Sequence, residues 1–457
     1  MRERVDVVVI GGGGTGSEVA YELARRSDRR VALIERDKLG GECTHYGCVP
    51  TKVMLRSAKL AAQARDADRF GLTIPDVRID LPAIQRRARE VIDDQAGEGA
   101  APFERVGVRV FLQEGRLIGD RLVELADGTT LEADAVVLTT GTEATAPPIP
   151  GLEDGPYWTN REAIWSPTEP PASLAIIGTG AIGTEFAQLY ARLGTPVTAL
   201  EAMPQLLPLE DEDAAASLVA ALEDEGIDVR TGVRIGAARH DGRTWTVELE
   251  GSDPVQAQEL LVAAGRRPVF DVHDLDAAGV DLDDVGRPLL TDTLRTTNPN
   301  VWAAGDATGE LLFTHVGTYE AQLVVDDVLG TPAPRDYRVV PRVTFCDPEV
   351  ASVGLTERQA RDAGNDVVAA SVAIASNERA QIDGSTAGLV KLVAERSTGE
   401  LLGAHIVSEE AGAMLHEVVA VMAARATAGA VARAIHAYPT RSEAVQAALL
   451  GVAEQVG

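Results

Sequence analysis

The sequence predicts an α/β protein with two β-α-β units followed by an α+β region. The first unit consists of a strand at 5–10, a glycine turn at 11–16, a helix at 17–26 and a strand at 31–35. The second repeats this order at 174–177, 178–183, 184–193 and 196–201. A glycine-rich turn between a strand and a helix is typical of Rossmann-like domains, so we expect one dinucleotide in each unit.

Proline-rich breaks and a change of pattern suggest where the domains end. With about 150 residues per domain, 457 residues correspond to about three domains. Prolines cluster at 147–150 and 168–171, and an acidic surface stretch follows residue 270. Beyond residue 340, alternating runs at 389–393 and 401–407 precede helices at 411–425 and 442–453, without a glycine-rich turn. We predict one dinucleotide domain at 1–150 and 270–339, a second at 151–269, and an α+β domain at 340–457.

Composition excludes several classes of partner. The formal charge of −28 and the pI near 4.6 repel nucleic acid and anionic membrane surfaces. The apolar run near the N-terminus is too short for a signal peptide, and no stretch of the sequence could span a bilayer, which predicts a cytoplasmic location. Three cysteines are too few for a disulfide scaffold, so a close pair of them indicates catalysis or metal binding.

Both glycine turns are paired with an acidic residue at the end of the next strand. Such a carboxylate can accept a hydrogen bond from a ribose hydroxyl, and it repels a 2′-phosphate. No arginine lies at 202–205 to offset this repulsion in the second unit, which favours NAD over NADP. The alternatives are a turn without a ligand and a solvated strand end. The residues are Gly11, Gly13, Gly16 and Glu35 in the first unit, and Gly178, Gly180, Gly183 and Glu201 in the second.

Cys43 and Cys48 lie just after the first unit. On a regular helix, residues five apart are separated by ~7.5 Å of rise and point ~140° apart, which is too far for a disulfide. A bridge therefore requires a distorted turn, which Gly47 permits. The alternatives are two buried apolar residues or a metal site, for which only His45 is a neighbouring ligand. A redox-active pair is favoured because it follows a dinucleotide motif.

Several ordered motifs resemble the pyridine nucleotide-disulfide oxidoreductases, which include dihydrolipoamide dehydrogenase, glutathione reductase and mercuric reductase. The resemblance covers essentially the whole chain and implies an FAD domain, an NAD domain and a C-terminal dimerisation domain. It also implies electron flow from NADH through FAD to a Cys43/Cys48 disulfide and then to an acceptor. The motifs are GGECTHYGCVPTK, TTGT, GTGAIGTE, AAGRRP, TTNPNVWAAGDA, DPEVASVGLTE and HAYPTRSEA.

The same resemblance implies roles for individual residues. Cys48 would be the flavin-side thiol and Cys43 the interchange thiol, while Lys52 would lie near the flavin and pair with Glu185. The residues implied for FAD are Gly11, Gly13, Gly16, Glu35, Lys52, Gly115, Gly141, Thr142, Asp306 and His315. Those implied for NAD are Gly178, Gly180, Gly183, Glu201, Val233 and Gly265.

The C-terminal motif departs from the resemblance at one catalytic position. Dihydrolipoamide dehydrogenase has a histidine before the motif proline, working with a glutamate five positions later; here Tyr438 precedes Pro439, and the glutamate is Glu443. Mercuric reductase has a tyrosine there but needs a C-terminal cysteine pair, and no cysteine follows Cys346. Cys346 itself is interpreted as a buried structural residue.

These observations favour a homodimeric, NADH-dependent reductase of a disulfide or related small acceptor. Three alternatives remain open. They are dihydrolipoamide dehydrogenase proper, a quinone or metal-ion reductase similar to mercuric reductase, and a redox-sensing or binding subunit without significant turnover.

Overall fold

The computed structural model describes residues 1–456 and divides into two compact units. The first unit comprises Met1–Val53, Ala83–Thr145 and Gly265–Asp336. The second comprises Met54–Pro82, Ala146–Ala264 and the chain from Tyr337 onward. The three domain boundaries predicted from the sequence stay a prediction. Within the described residues, we find no helix with the length and apolar character needed to cross a membrane.

The first unit is built on a five-stranded parallel sheet. Its central strand, Val7–Ile10, is completely buried, because β-branched residues on both faces pack against the rest of the unit. A four-stranded sheet and a two-stranded ribbon complete this unit. In spatial order, the five strands are Val301–Ala303, Ala135–Leu138, Val7–Ile10, Val31–Glu35 and Arg109–Leu112; the four are Arg2–Arg4, Thr130–Glu132, Leu122–Leu125 and Gly115–Gly119; the ribbon pairs Arg266–Pro268 with Thr142–Ala144.

The second unit contains three sheets. A four-stranded parallel sheet repeats the arrangement of the first unit, and a three-stranded antiparallel sheet accompanies it. A five-stranded antiparallel sheet forms the C-terminal part, with apolar helices packed into one core with it. In spatial order, the strands of the parallel sheet are Asp228–Arg230, Val197–Leu200, Leu174–Ile177 and Glu259–Val262. Those of the three-stranded sheet are Ile235–His240, Trp245–Leu249 and Val255–Ala257. Those of the C-terminal sheet are Pro341–Thr344, Glu349–Gly354, Leu401–Ser408, Leu389–Glu395 and Val367–Ala373.

The helices connect and cover these sheets. Two of them, Cys48–Arg65 and Leu81–Ala96, are divided between the units. The other helices of the first unit are Gly14–Arg26, Gly41–His45, Ala101–Arg105, Leu275–Ala278 and Thr314–Val328. Those of the second are Asn160–Trp165, Ala181–Arg192, Glu212–Asp224, Glu357–Asp362, Glu378–Asp383, Ala411–Ala423, Ala428–Val431 and Ser442–Ala453.

A series of ion pairs with alternating charge runs through the second unit. The Arg192 and Arg441 side chains are only 9% and 5% exposed, so solvent screens their pairs less than it screens ordinary surface pairs. Lys59 joins the two halves of the series through two carboxylates. The consecutive pairs are Glu225–Arg192 (2.6 Å), Arg192–Asp347 (3.0 Å), Asp347–Lys59 (3.1 Å), Lys59–Glu409 (2.7 Å), Glu409–Arg441 (2.9 Å) and Arg441–Asp383 (3.0 Å).

Candidate active site

The cysteine pair lies at a break between two helices. Cys43 is in the helix Gly41–His45, and Cys48 is the first residue of the helix Cys48–Arg65. Tyr46 leaves helical geometry at φ −137°, ψ −2°, and its N–H donates to the Glu42 carbonyl at 2.9 Å. The spacing of a regular helix therefore does not apply to this pair, as a redox role requires.

The two thiols differ in their electrostatic surroundings. Cys48 lies at the N-terminal end of an 18-residue helix, where the helix dipole stabilises a thiolate. A hydrogen bond with Cys48, burial and the charge of Cys48 together raise the pKa of Cys43 well above the usual thiol range. The two thiols therefore ionise as a coupled pair, in which a negative charge on one sulfur opposes loss of the proton from the other.

Thr314 contacts both sulfur atoms. Its hydroxyl donates to Cys43 Sγ at 3.2 Å and lies 3.7 Å from Cys48 Sγ. Thr314 is the first residue of the helix Thr314–Val328, so that helix also begins at the cysteine pair. The hydroxyl lowers the pKa of Cys43, opposing the larger effects of Cys48 and of burial.

The first glycine turn has the shape of a phosphate cradle. A Cβ on Gly11, where φ is +107°, would lie 2.2 Å from the Thr139 carbonyl oxygen, and one on Gly16 would lie 1.9 Å from the Gly11 oxygen. At Gly13 the nearest atom to such a Cβ would be 4.0 Å away. Gly13 also caps the helix Gly14–Arg26, with no side-chain hydrogen bond at the cap. The open side and the helix N-terminus suit a pyrophosphate.

Glu35 joins this turn to the end of the next strand. Its Oε2 accepts from Gly12 N at 2.6 Å, and its Oε1 accepts from Asp37 N at 2.7 Å. Only 8% of the residue is exposed, so two backbone donors hold the carboxylate in one direction. This is the position from which a carboxylate can reach a ribose hydroxyl.

A second polar group in the first unit surrounds Asp306. Thr142 Oγ1 donates to Asp306 Oδ2 at 3.2 Å and accepts from Arg266 Nε at 2.9 Å. Burial raises the pKa of Asp306, although the charge of Arg266 and the Thr142 hydroxyl oppose the rise. Nearby in sequence, Thr140 Oγ1 is buried without a protein partner, and a Cβ on Gly141 would meet no atom within 4 Å. An orphaned hydroxyl beside open space fits a polar cofactor such as FAD.

The remaining residues implied for the flavin site occupy varied positions. Gly115 begins a strand and lies so close to Ile34 that a Cβ would be 2.8 Å from its side chain. The His315 ring stacks on Phe313 with centroids 5.4 Å apart. Lys52 lies in the helix that begins at Cys48. Buried Glu185, in the second unit, accepts from Phe345 N at 2.9 Å, and its pairing with Lys52 stays a prediction.

The glycine turn of the second unit has the same design. A Cβ on Gly178 would lie 2.6 Å from the Ala263 oxygen, and one on Gly183 would lie 1.9 Å from the Gly178 oxygen, whereas Gly180 faces open space. Glu201 Oε2 accepts from Thr179 N at 2.8 Å, repeating the contact of Glu35 with its own turn. This cradle fits a second dinucleotide.

The other two positions implied for NAD lie near the ends of strands. Val233 N donates to the Glu201 carbonyl at 3.0 Å, so it lies directly beside the acidic strand end. Gly265 belongs to the first unit, where its φ is +146° and its carbonyl accepts from Thr145 N at 3.1 Å.

The C-terminal motif presents a solvent-facing phenol. Tyr438 is 71% exposed, and its hydroxyl donates to Glu378 Oε2. Glu443 Oε2 instead accepts from Thr440 N at 2.9 Å. His436 Nε2 lies 2.8 Å from Glu417 Oε1, and although burial opposes it, that carboxylate raises the pKa of His436. The nearby imidazole is therefore paired with Glu417.

Two dinucleotide cradles and a thiol pair at a helix break define a flavin-dependent disulfide reductase. The family model described as pyridine nucleotide-disulphide oxidoreductase matches residues 5–321, and the dimerisation domain of the same family matches residues 340–449. The chain therefore belongs to the pyridine nucleotide-disulphide oxidoreductase family. Its members use FAD and a nicotinamide dinucleotide, and this chain is an enzyme of that kind.

Relatives of different activity resemble the chain about equally. Dihydrolipoyl dehydrogenase from Chlorobaculum tepidum is 35% identical over 99% of this chain and 98% of its own length. Mercuric reductase from Streptomyces lividans is 36% identical over 97% and 95%. Among solved structures, the Cu(II) complex of the HOCl-induced flavoprotein disulfide reductase RclA from Escherichia coli aligns with a TM-score of 0.89 at 28% identity, covering 98% of this chain and all of that one.

Sequence reasoning missed three residues that complete these sites. Thr314 directly precedes His315, but no motif marks its contact with the thiols. Arg266 lies inside AAGRRP, and its guanidinium also donates to the Thr142 carbonyl at 2.9 Å. Glu378 lies sixty residues before Tyr438 and belongs to none of the motifs, so only the folded chain reveals it.

Proposed function

We propose that the enzyme uses NADH to reduce a small disulfide or a related electron acceptor through Cys43 and Cys48. The observation that carries this proposal is the contact of both thiols with Thr314 at a helix break. Lys52, Glu185, Tyr438 and Glu443 are proposed as further members of the catalytic site.

The exchange chemistry balances with the two thiols alone. Deprotonated Cys43 attacks one sulfur of the acceptor disulfide; a mixed disulfide forms, and the second sulfur leaves as a thiolate that takes a proton. Deprotonated Cys48 then attacks the Cys43 sulfur and breaks the mixed disulfide, so the sulfur that Cys43 had bound leaves as a thiolate that takes a proton, and the Cys43–Cys48 disulfide closes. FAD, when bound, supplies the two electrons of NADH that reopen this disulfide.

NADH is the proposed donor because of Glu201. This side chain is 7% exposed, and its two oxygens accept from Thr179 N and Met203 N at 2.8 and 2.9 Å. A carboxylate held in this way cannot turn aside for a 2′-phosphate. We therefore expect much lower efficiency with NADPH.

A homodimer is the proposed assembly. The dimerisation domain at 340–449 supports it, and in this arrangement the C-terminal motif of one chain would reach the disulfide of the other. An obligate interface typically buries at least about 2,000 Å². Light scattering of the holoenzyme at assay concentration should give twice the chain mass, and an active monomer would exclude this assembly.

Quinone or metal-ion reduction is a second candidate, favoured by Tyr438. An exposed phenol replaces the histidine base expected for lipoamide chemistry. The relatives at 36% identity and at a TM-score of 0.89 are named as a mercuric reductase and as a Cu(II) complex of a disulfide reductase. One observation argues against mercuric ion as the acceptor: mercuric reductase needs a C-terminal cysteine pair, and no cysteine follows Cys346 in this sequence.

A steady-state screen of acceptors with NADH distinguishes the two candidates. The acceptors are lipoamide, glutathione disulfide, menadione and mercuric ion, each tested with wild type and with Cys43→Ser. The disulfide proposal expects turnover with a disulfide that Cys43→Ser abolishes, whereas menadione reduction that survives this substitution favours the second candidate. Cys346→Ala, which removes the third cysteine and leaves the Cys43/Cys48 pair intact, is the matched control and should keep wild-type turnover.

A further inference from the structure

The loop that carries Tyr438 is fixed to the short helix Glu378–Asp383 at three points. The Tyr438 hydroxyl donates to Glu378 Oε2 at the start of that helix. Asn377, the N-cap of the helix, donates through Nδ2 to the Thr440 carbonyl at 3.0 Å. Arg441 Nη2 donates to Asp383 Oδ2 at 3.0 Å near its end. The phenol is therefore held in a defined place although most of its surface is exposed.

The carboxylate that contacts the phenol is not the one in the C-terminal motif. Glu443 is occupied by the backbone N–H of Thr440 and acts on Tyr438 only through its charge. Glu378 acts through both a hydrogen bond and its charge, and together they raise the pKa of Tyr438. The resemblance pairs residue 438 with the glutamate five positions later, whereas this chain pairs it with Glu378.

We propose that Glu378 is a positioning residue of the acceptor site, which fixes the Tyr438 hydroxyl hydrogen toward itself and thereby decides what the phenol offers to a bound acceptor. This inference rests on the proposed function, in which Tyr438 faces the acceptor. It adds a specificity-determining residue that no motif of the chain contains.

The consequence for recognition follows from the single hydrogen of a phenol. A tyrosine hydroxyl has one O–H to donate and lone pairs that accept. With the hydrogen given to Glu378, the oxygen offers lone pairs to its other neighbours. Such an oxygen suits the S–H of a thiol or the O–H of a hydroquinone, which are the reduced products. Tyr438 is then an acceptor of hydrogen bonds from the bound molecule at this site.

The first test follows the ionisation of Tyr438 in the holoenzyme. The ultraviolet tyrosinate absorbance is titrated in wild type, Glu378→Gln and Glu454→Gln, each as a difference from Tyr438→Phe in the same background. Glu454→Gln removes the same charge from the end of the C-terminal helix. We expect Tyr438 to ionise at lower pH in Glu378→Gln, while Glu454→Gln follows wild type. Glu378→Asp, which keeps the charge, should lie closer to wild type.

The second test separates the two half-reactions. With lipoamide and with menadione as probes, Glu378→Gln should change kcat/KM for the acceptor by about two- to fivefold, the range of an exposed charged hydrogen bond. The rate of enzyme reduction by NADH should stay unchanged. In the Tyr438→Phe background, Glu378→Gln should have no further effect, because its partner is absent.

Two results would overturn the assignment. One is a Tyr438 titration that does not move in Glu378→Gln, and the other is a titration that moves with Glu443→Gln instead. Failure of the proposed function is recognised separately, since it would appear as turnover of lipoamide that survives Cys43→Ser. The Tyr438 titration needs no electron acceptor, so it tests the role of Glu378 whatever the outcome of the lipoamide assay with Cys43→Ser.

Discussion

Replacing Thr314 with valine isolates the hydroxyl that contacts the two thiols. The substitution preserves the branched shape and removes the O–H that donates to Cys43 Sγ at 3.2 Å. Because this hydrogen bond lowers the pKa of Cys43, its loss leaves less Cys43 thiolate at a given pH.

The size of the effect follows from the value of one hydrogen bond. A side-chain hydrogen bond contributes about 0.5–1.5 kcal/mol, which lowers the thiolate population about two- to tenfold. The remaining thiolate is more nucleophilic, with a Brønsted coefficient of about 0.4–0.5, so roughly half of the loss on a logarithmic scale is recovered. We therefore expect Cys43 to react about 1.5- to 4-fold more slowly with an alkylating agent.

The assay is alkylation of the NADH-reduced holoenzyme with iodoacetamide, followed by mass spectrometry of the peptides that contain each cysteine. Cys43 should be labelled before Cys48 in wild type, and more slowly in Thr314→Val. Thr318→Val is the matched control, because it removes a hydroxyl that donates only to the Thr314 carbonyl, at 3.2 Å. An unchanged Cys43 rate in Thr314→Val would refute the role of the hydroxyl, and preferential labelling of Cys48 would reverse the assignment of the two thiols.

Three further substitutions test other parts of the structure. Glu201→Gln should raise the NADPH-to-NADH ratio of kcat/KM about fivefold or more, because like charges near 4 Å repel by at least about 1 kcal/mol; an unchanged ratio would exclude Glu201 as the discriminator. Tyr438→His should raise dihydrolipoamide oxidation at least about tenfold, since an imidazole is ready to accept a proton at neutral pH; a wild type already fast with this substrate would contradict it. Lys391→Met should destabilise the fold by about 3–5 kcal/mol in calorimetry, because it strands buried Asp211. Burial tends to raise the pKa of Asp211, but Lys391 holds it below its usual value. The destabilisation by Lys391→Met should therefore shrink below about pH 4, where Asp211 becomes protonated in the unfolded chain. A destabilisation that does not change with pH would argue against this ion pair.

The strands and helices of both dinucleotide units were predictable because their signals are local. Strands 31–35 and 174–177 have the same bounds in the sequence analysis and in the structure. The first helix begins at Gly14 instead of residue 17, because the last glycines of the turn already have helical geometry. Glycine lowers helix propensity, so a reading based on propensity places such a start too late.

The contacts that complete the sites were not predictable, because they join residues far apart in the chain. Thr314 meets Cys43 across 271 positions, and Glu378 meets Tyr438 across 60. The Thr314 hydroxyl and the Glu378 carboxylate do not alter the hydrophobic periodicity of the helices that contain them, so no local sequence pattern indicates these contacts. The helix break between residues 45 and 48 was partly predictable. Gly47 indicated that the backbone is distorted there, but the sequence did not show that one helix ends at His45 and the next begins at Cys48.

The alternating ion pairs of the second unit restrict how this chain can be recombined with its relatives. Asp347, Glu409 and Arg441 come from the C-terminal part, while Arg192 and Lys59 come from earlier segments. A chimera that exchanges residues 340–457 alone would keep both cations and could lose the carboxylates that neutralise them. Crossovers in domain shuffling should therefore transfer Lys59 and Arg192 together with the C-terminal segment, or restore Asp347 and Glu409 in the incoming one.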